Sequence, residues 1–129
     1  MPKLNETAKG VFVIAPTPFQ EDGALDLDSI DRMVEFYLTA GADGLTIMGM
    51  MGEAEKLTPD EAVAVLKRVV AAVSGRVPVI VGVSSPGVAS MVSLSRSAMD
   101  LGAAGVMVAP TPNLQSDAQI RGYFETVAD

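Results

Sequence analysis

The residues from Ile47 to Leu57 read IMGMMGEAEKL, and they hold the densest group of positions able to do chemistry. Gly49 and Gly52 bracket Met50 and Met51, and Glu53 follows at once. Glycines at both ends let the backbone turn sharply and approach a ligand. Successive N–H groups in such a turn make a concavity that holds an anion such as a carboxylate. The competing possibility is a tight turn whose methionines pack inward. Glu53 suits a general base or a brace accepting backbone N–H bonds. Lys56 is the nearest amine, but a nucleophilic lysine needs desolvation and a lowered pKa. Its neighbours Glu53, Glu55, Asp60 and Glu61 act the other way, so Lys56 is expected to be a solvated loop residue. Thr17, beside Pro18, is a candidate for contact with a substrate or with this loop. Ser84 and Ser85 stand at another expected strand end, where Ser85 is better explained as a helix cap.

Composition removes several classes of chemistry. The 129 residues include no Cys, which excludes disulfides, thiolate zinc sites and cysteine nucleophiles. They include no His either, so a Ser-His-Asp arrangement cannot be built. The net charge is −7 and the nine basic residues form no cluster, which disfavours nucleic acid and anionic membranes as partners. No apolar run approaches the roughly 18 residues of a membrane span, and MPKLNETAKG lacks the apolar stretch of a signal peptide. A cytoplasmic protein is expected. Asp22-Gly23 reads as a turn, and neither a metal nor a cofactor is indicated.

The elements that must position these residues alternate along the chain. Apolar runs open near Gly10, Gly44, Val77 and Gly105, and each is followed by a helical pattern. Leu27, Ile30, Val34, Tyr37 and Leu38 make one helix face, with Asp26 or Asp28 as cap and Gly41 as stop. Thr58, Pro59 and Glu61 form a strong helix start, followed by the apolar stripe Ala62, Val65, Leu66, Val69, Val70 and Val73. Ser85 and Pro86 are expected to open a third helix and Ser116/Gln119 a fourth. Met33, Met91 and Met99 read as core filler on helix faces. The order βαβαβαβα requires a parallel sheet, either doubly wound or a (β/α) barrel. AGADGLTIMG and LGAAGVMVAP repeat a Gly-Ala, Gly, apolar-strand pattern. One domain fits the length, yet an eight-strand barrel takes about 250 residues. Residues 1–129 are therefore expected to be the N-terminal half of a barrel, as a single domain or a fragment, with open strand edges.

The motifs, taken in order, resemble the dihydrodipicolinate synthase / N-acetylneuraminate lyase family. They are TPF (Thr17–Phe19), Asp22-Gly23 with Asp26, AGADGL (Ala40–Leu45), the glycine loop at Gly49, Gly52 and Glu53, GRVPVIVGV (Gly75–Val83) and LGAAGVMVAP (Leu101–Pro110). The resemblance implies a (β/α)8 barrel, commonly in homo-oligomers, that binds pyruvate or a related 2-oxo acid as a Schiff base on a lysine. It implies substrate binding by Gly49, Met50, Met51, Gly52, Glu53 and Thr17, and places the catalytic lysine outside this chain, so none of these residues is expected to be catalytic. The family has hydroxyl residues where Met50 and Met51 stand, and aromatics where PTPN has Thr111 and Pro112 between Pro110 and Asn113; SSPG replaces its asparagine-bearing segment. Thioethers donate no hydrogen bond. Carboxylate binding through main-chain N–H groups can survive this change, but the hydroxyl step of the family's proton relay cannot. A divergent lyase or aldolase is thus expected, the alternative being a non-catalytic, self-pairing half-barrel or regulatory module.

Overall fold

The structure is a computed structural model and describes residues 3–129. Four strands, β1 (Phe12–Ile14), β2 (Gly44–Ile47), β3 (Val79–Gly82) and β4 (Gly105–Met107), alternate with four helices, α1 (Leu27–Thr39), α2 (Pro59–Val73), α3 (Val88–Asp100) and α4 (Asp117–Ala128). All strand pairs are parallel and the order is β1-β2-β3-β4. A doubly wound sheet reverses its strand order at a switch point. This sheet never reverses, so the chain winds in one sense, as a barrel does. The strands are shorter than the apolar runs that announce them. The run from Gly10 is ladder-paired only to Ile14, with Ala15 adding one bond to the Thr46 carbonyl at 2.9 Å.

Alternation along each strand divides the sheet into two faces. Val13, Leu45, Ile47, Val79 and Val81 join the helices in the core, with Ile30 and Val34 of α1 and Val65, Leu66, Val69 and Val73 of α2. On the other face, register aligns Phe12 with Gly44, Ile14 with Thr46, Thr46 with Ile80, and Gly82 with Met107. α1 packs on α2 and α2 on α3, so the helices form one layer. Met91 is buried, while Met33 and Met99 pack partly buried against the core. Among the described residues no helix is long and apolar enough to cross a membrane.

Helix starts follow the sequence signals at three of the four positions. Asp26 accepts bonds from the Ser29 N–H at 3.0 Å and the Ser29 hydroxyl at 2.6 Å, which hold its carboxyl below the ordinary 3.8. Thr58 and Glu61 form the full capping box on α2, and Ser116 and Gln119 form another on α4. Ser85 does not cap α3. The helix begins two residues later than expected, with Gly87 in its cap position and no side-chain cap bond. Pro86 does not decide this, since Thr58 precedes Pro59 and still caps α2; here Gly87 is still extended (φ −90°, ψ 115°), so the helix opens only at Val88. The Ser85 hydroxyl accepts instead from the Gly87 N–H at 3.2 Å.

One close approach ties the end of β3 to the turn after β2. A Cβ on Gly82 would lie 2.1 Å from the Met48 carbonyl oxygen, so only hydrogen fits there. By contrast, a Cβ on Gly122 of α4 would meet nothing within 4 Å. Gly82→Ala is therefore expected to lower unfolding stability by about 1–3 kcal/mol or more through overpacking. Gly122→Ala should raise it by about 1 kcal/mol through helix propensity. Leu66, fully buried at the α2 contact with the sheet, should cost about 2–5 kcal/mol when cut to Ala. Urea unfolding of the three variants checks all three signs.

Candidate active site

Ligands of singly wound parallel barrels lie at the carboxyl ends of the strands. The segment leaving β2 runs from Met48 to Glu53 and then enters a 3-10 turn over Ala54–Lys56. Its two ends, Met48 (φ 54°) and Glu53 (φ 52°), are left-handed without being glycine. Each such residue costs about 1–2 kcal/mol, so surrounding contacts must hold the turn in place.

Those contacts involve main-chain carbonyls. The Gly52 N–H donates to the Gly49 carbonyl at 3.1 Å, and the Glu53 N–H to the Met50 carbonyl at 3.1 Å. The Thr17 hydroxyl donates to the Gly52 carbonyl at 2.6 Å, and the Lys56 N–H to the Glu53 carbonyl at 2.9 Å. In a planar trans peptide the N–H points opposite to the C=O. With the Gly49 and Met50 carbonyls turned into the loop, the N–H groups of Met50 and Met51 point out of it. Among the described residues neither N–H, nor that of Gly49, has a protein acceptor. The carbonyls of Gly49, Met50, Gly52 and Glu53 are thus engaged while consecutive donors are left open, an arrangement suited to holding a carboxylate.

Side chains around the turn complete the geometry. Met50 is 92% and Met51 66% exposed. The buried methionine of this segment is Met48, directly after β2. Gly52 lies against backbone: a Cβ there would be 3.0 Å from the Met48 nitrogen and 3.4 Å from the Ala15 carbonyl. At Gly49 the nearest atoms are Met107 Cε and Ile14 Cγ2, at 3.5 and 3.6 Å from a built Cβ. Thr17 is only 7% exposed and spends its proton on the loop.

Glu53 braces the segment differently from the expectation. Its carboxylate accepts no backbone N–H bond; it pairs with the Lys56 ammonium at 2.5 Å. The nearby N–H groups of Lys56 and Leu57 are already bonded to main-chain carbonyls, which leaves the ammonium as donor. The hydrogen bond that Lys56 donates to Glu53, followed by the Glu53 charge, pushes the Lys56 pKa above its usual 10.5. Lys56 thus stays protonated at neutral pH and is a poor nucleophile.

Neighbouring loops are tied together by bonds that sequence patterns did not announce. Ser84 Oγ accepts from the Ala109 N–H at 2.8 Å, which clips the end of β3 to the end of β4. The Tyr123 hydroxyl donates to the Ser85 carbonyl at 3.0 Å and anchors α4 beside that loop. Thr111, buried after β4, donates to Asn113 Oδ1. No group of three or more metal-ligating side chains occurs among the described residues. A cavity of about 400 Å³ opens at the opposite, amino ends of the strands, lined in part by Leu4, Phe12 and Arg76. Arg76 is already paired with Glu35 there, and the open donors of the β2 turn lie at the other end of the sheet.

The sequence pattern of the dihydrodipicolinate synthetase family matches residues 7–129. A 4-hydroxy-tetrahydrodipicolinate synthase of Pelobacter propionicus is 41% identical over 122 residues, which cover 94% of this chain and 42% of that protein. The crystal structure of dihydrodipicolinate synthase from Rhodopseudomonas palustris superposes with a TM-score of 0.91 at 49% identity, over 99% of this chain and 42% of that one. A prophage protein of E. coli K12 from the same family, solved in complex with pyruvate, gives 0.84 at 33% identity, over 93% of this chain and 41% of that one. The chain thus spans about two fifths of the length of these relatives. With the singly wound parallel sheet, its helix layer and the glycine turn after β2, these matches make the chain a member of the dihydrodipicolinate synthetase family.

Proposed function

We propose that the turn from Gly49 to Glu53 binds the carboxylate of pyruvate or a related 2-oxo acid in a Schiff-base lyase or aldolase. One observation carries this reading: the carbonyls of Gly49, Met50, Gly52 and Glu53 are engaged within the protein, while the N–H groups of Gly49, Met50 and Met51 are open. The pyruvate held by the E. coli relative supports the choice of ligand. Gly49, Met50 and Met51 supply donors, Gly52 and Glu53 shape the turn, and Thr17 serves the site through its bond to Gly52.

The catalytic lysine belongs outside these residues. Lys3, Lys9, Lys56 and Lys67 are all exposed, and Lys56, the one nearest the turn, is held as an ammonium. In the reaction, a lysine amine adds to the 2-oxo carbon and water leaves, forming an iminium. That iminium takes up the electron pair of the adjacent bond as carbon–carbon bonds form or break. The turn contributes by holding the carboxylate so that the 2-oxo carbon is presented in one orientation. We assign residues 1–129 to the N-terminal half-barrel of such an enzyme, inactive alone, within a cytoplasmic homo-oligomer. The thioethers at Met50 and Met51 make it a divergent member, because no hydroxyl there can pass a proton.

A second reading, a non-catalytic self-pairing half-barrel, is favoured by the sheet edges. β1 and β4 each pair on one side only, and Ile14, Val106 and Met107 are partly exposed beside them. Sedimentation distinguishes the two: self-pairing gives a discrete, stable dimer, whereas the enzyme reading gives heterogeneous association of the isolated chain.

Titrating the 15N-labelled chain with pyruvate should shift the amide resonances of Gly49, Met50 and Met51 more than those of Gly52 and Glu53. Shifts confined to other regions would remove the assignment. Treatment with pyruvate and borohydride should add no mass to the 129-residue chain; a gain of one reduced pyruvate would show that a lysine here is reactive.

A further inference from the structure

We infer that Thr17 is a positioning residue for carboxylate binding, acting through the Gly52 carbonyl and not by touching the ligand. This inference rests on the proposed role of the β2 turn. Thr17 lies 35 positions before Gly52 in the chain, yet its hydroxyl is 2.6 Å from that carbonyl in a buried setting. It is the side-chain bond that joins the loop after β1 to the turn after β2. The other bonds of the turn, Gly52 to Gly49 and Glu53 to Met50, are local and would travel with the turn if it moved as a body.

Neighbouring contacts make this bond decisive. The turn is bounded by left-handed Met48 and Glu53, conformations that relax unless held. Gly82 holds the Met48 end by close packing against its carbonyl oxygen. At the other end, Gly52 presses on the Met48 nitrogen and on the Ala15 carbonyl, two residues before Thr17. Packing at Gly52 fixes a position, but the hydroxyl of Thr17 fixes the orientation of the Gly52–Glu53 peptide. That peptide's N–H closes the turn onto Met50, which in turn sets the outward direction of the Met51 N–H. The hydroxyl has one proton and donates it to Gly52, so it is not available as a donor to a carboxylate.

The test compares Thr17→Val, which keeps the shape and removes the hydroxyl, with Thr17→Ser, which restores it, in the protein as its gene encodes it. Amide hydrogen exchange at Gly52 and Glu53 should quicken about tenfold in the Val variant and return to within about twofold in the Ser variant. Pyruvate affinity, read from the same amide resonances, should weaken about tenfold for Val and recover for Ser. Amides of α2 and the unfolding midpoint of the Ser variant serve as the fold control, and Thr17→Ala replaces Val should that variant not fold. Unchanged exchange at Gly52 and Glu53 overturns the inference, whether or not pyruvate binds. Faster exchange with unaltered pyruvate affinity reduces Thr17 to a stability role and overturns it too. If the unaltered protein shows no response of the turn amides to pyruvate while the exchange effect stands, the carboxylate reading fails and the positioning claim falls with it.

Discussion

The Thr17 hydroxyl donates to the Gly52 carbonyl, and the proposed carboxylate site depends on that constraint. A turn of six residues offers both carbonyls and N–H groups, and an anion can use only the N–H groups. Selecting them requires something to occupy the carbonyls. Local N–H groups take the carbonyls of Gly49, Met50 and Glu53, and Thr17 takes that of Gly52 from a different loop. Peptide planarity then converts inward carbonyls into outward N–H groups at Met50 and Met51. The chemistry of those side chains is secondary to this, since main-chain donors do not depend on whether a thioether or a hydroxyl stands at Met50 and Met51.

The sheet places the partners of this bond together. Parallel strands in the order β1-β2-β3-β4 bring every strand's carboxyl end to the same rim, so residues far apart in the chain share one loop cluster. Gly82 at the end of β3 admits the Met48 carbonyl, and Ser84 clips β3 to β4 just beyond. The rim is thus stitched from β1 to β4 by close packing and hydrogen bonds. Beneath it, the Val- and Leu-rich face of α2 covers the strands and supplies the rigidity that the strained turn draws upon.

Much of this architecture was legible in the sequence, for physical reasons that can be named. The α2 stripe from Ala62 to Val73 has the 3.6-residue period and a Thr58/Glu61 capping box, two independent signals of one helix. The Ser116/Gln119 box and the Asp26 cap were equally local. The start of α3 was misread because Ser85-Pro86 carries the same signal as Thr58-Pro59, while the extended Gly87 that follows defers the helix to Val88. The apolar runs marked where strands open but not where they end, because they continue past the last ladder bond. Within the site, the glycine spacing marked the turn, and the acidic surroundings of Lys56 announced that its pKa is raised and not lowered. The Thr17–Gly52, Ser84–Ala109 and Tyr123–Ser85 bonds were not legible, since each joins residues 25 to 38 positions apart and leaves no periodic trace. The pairing of Glu53 with Lys56 was hidden for another reason: it depends on which N–H groups the main chain has already taken.

The account stands on where a carboxylate sits relative to the Met50 and Met51 nitrogens, and a crystal structure with pyruvate measures that directly. It predicts a carboxylate oxygen about 2.7–3.2 Å from each nitrogen, with the Gly52 carbonyl still on Thr17. A carboxylate bound elsewhere, or a turn whose Met50 and Met51 N–H groups face away from it, would contradict the account.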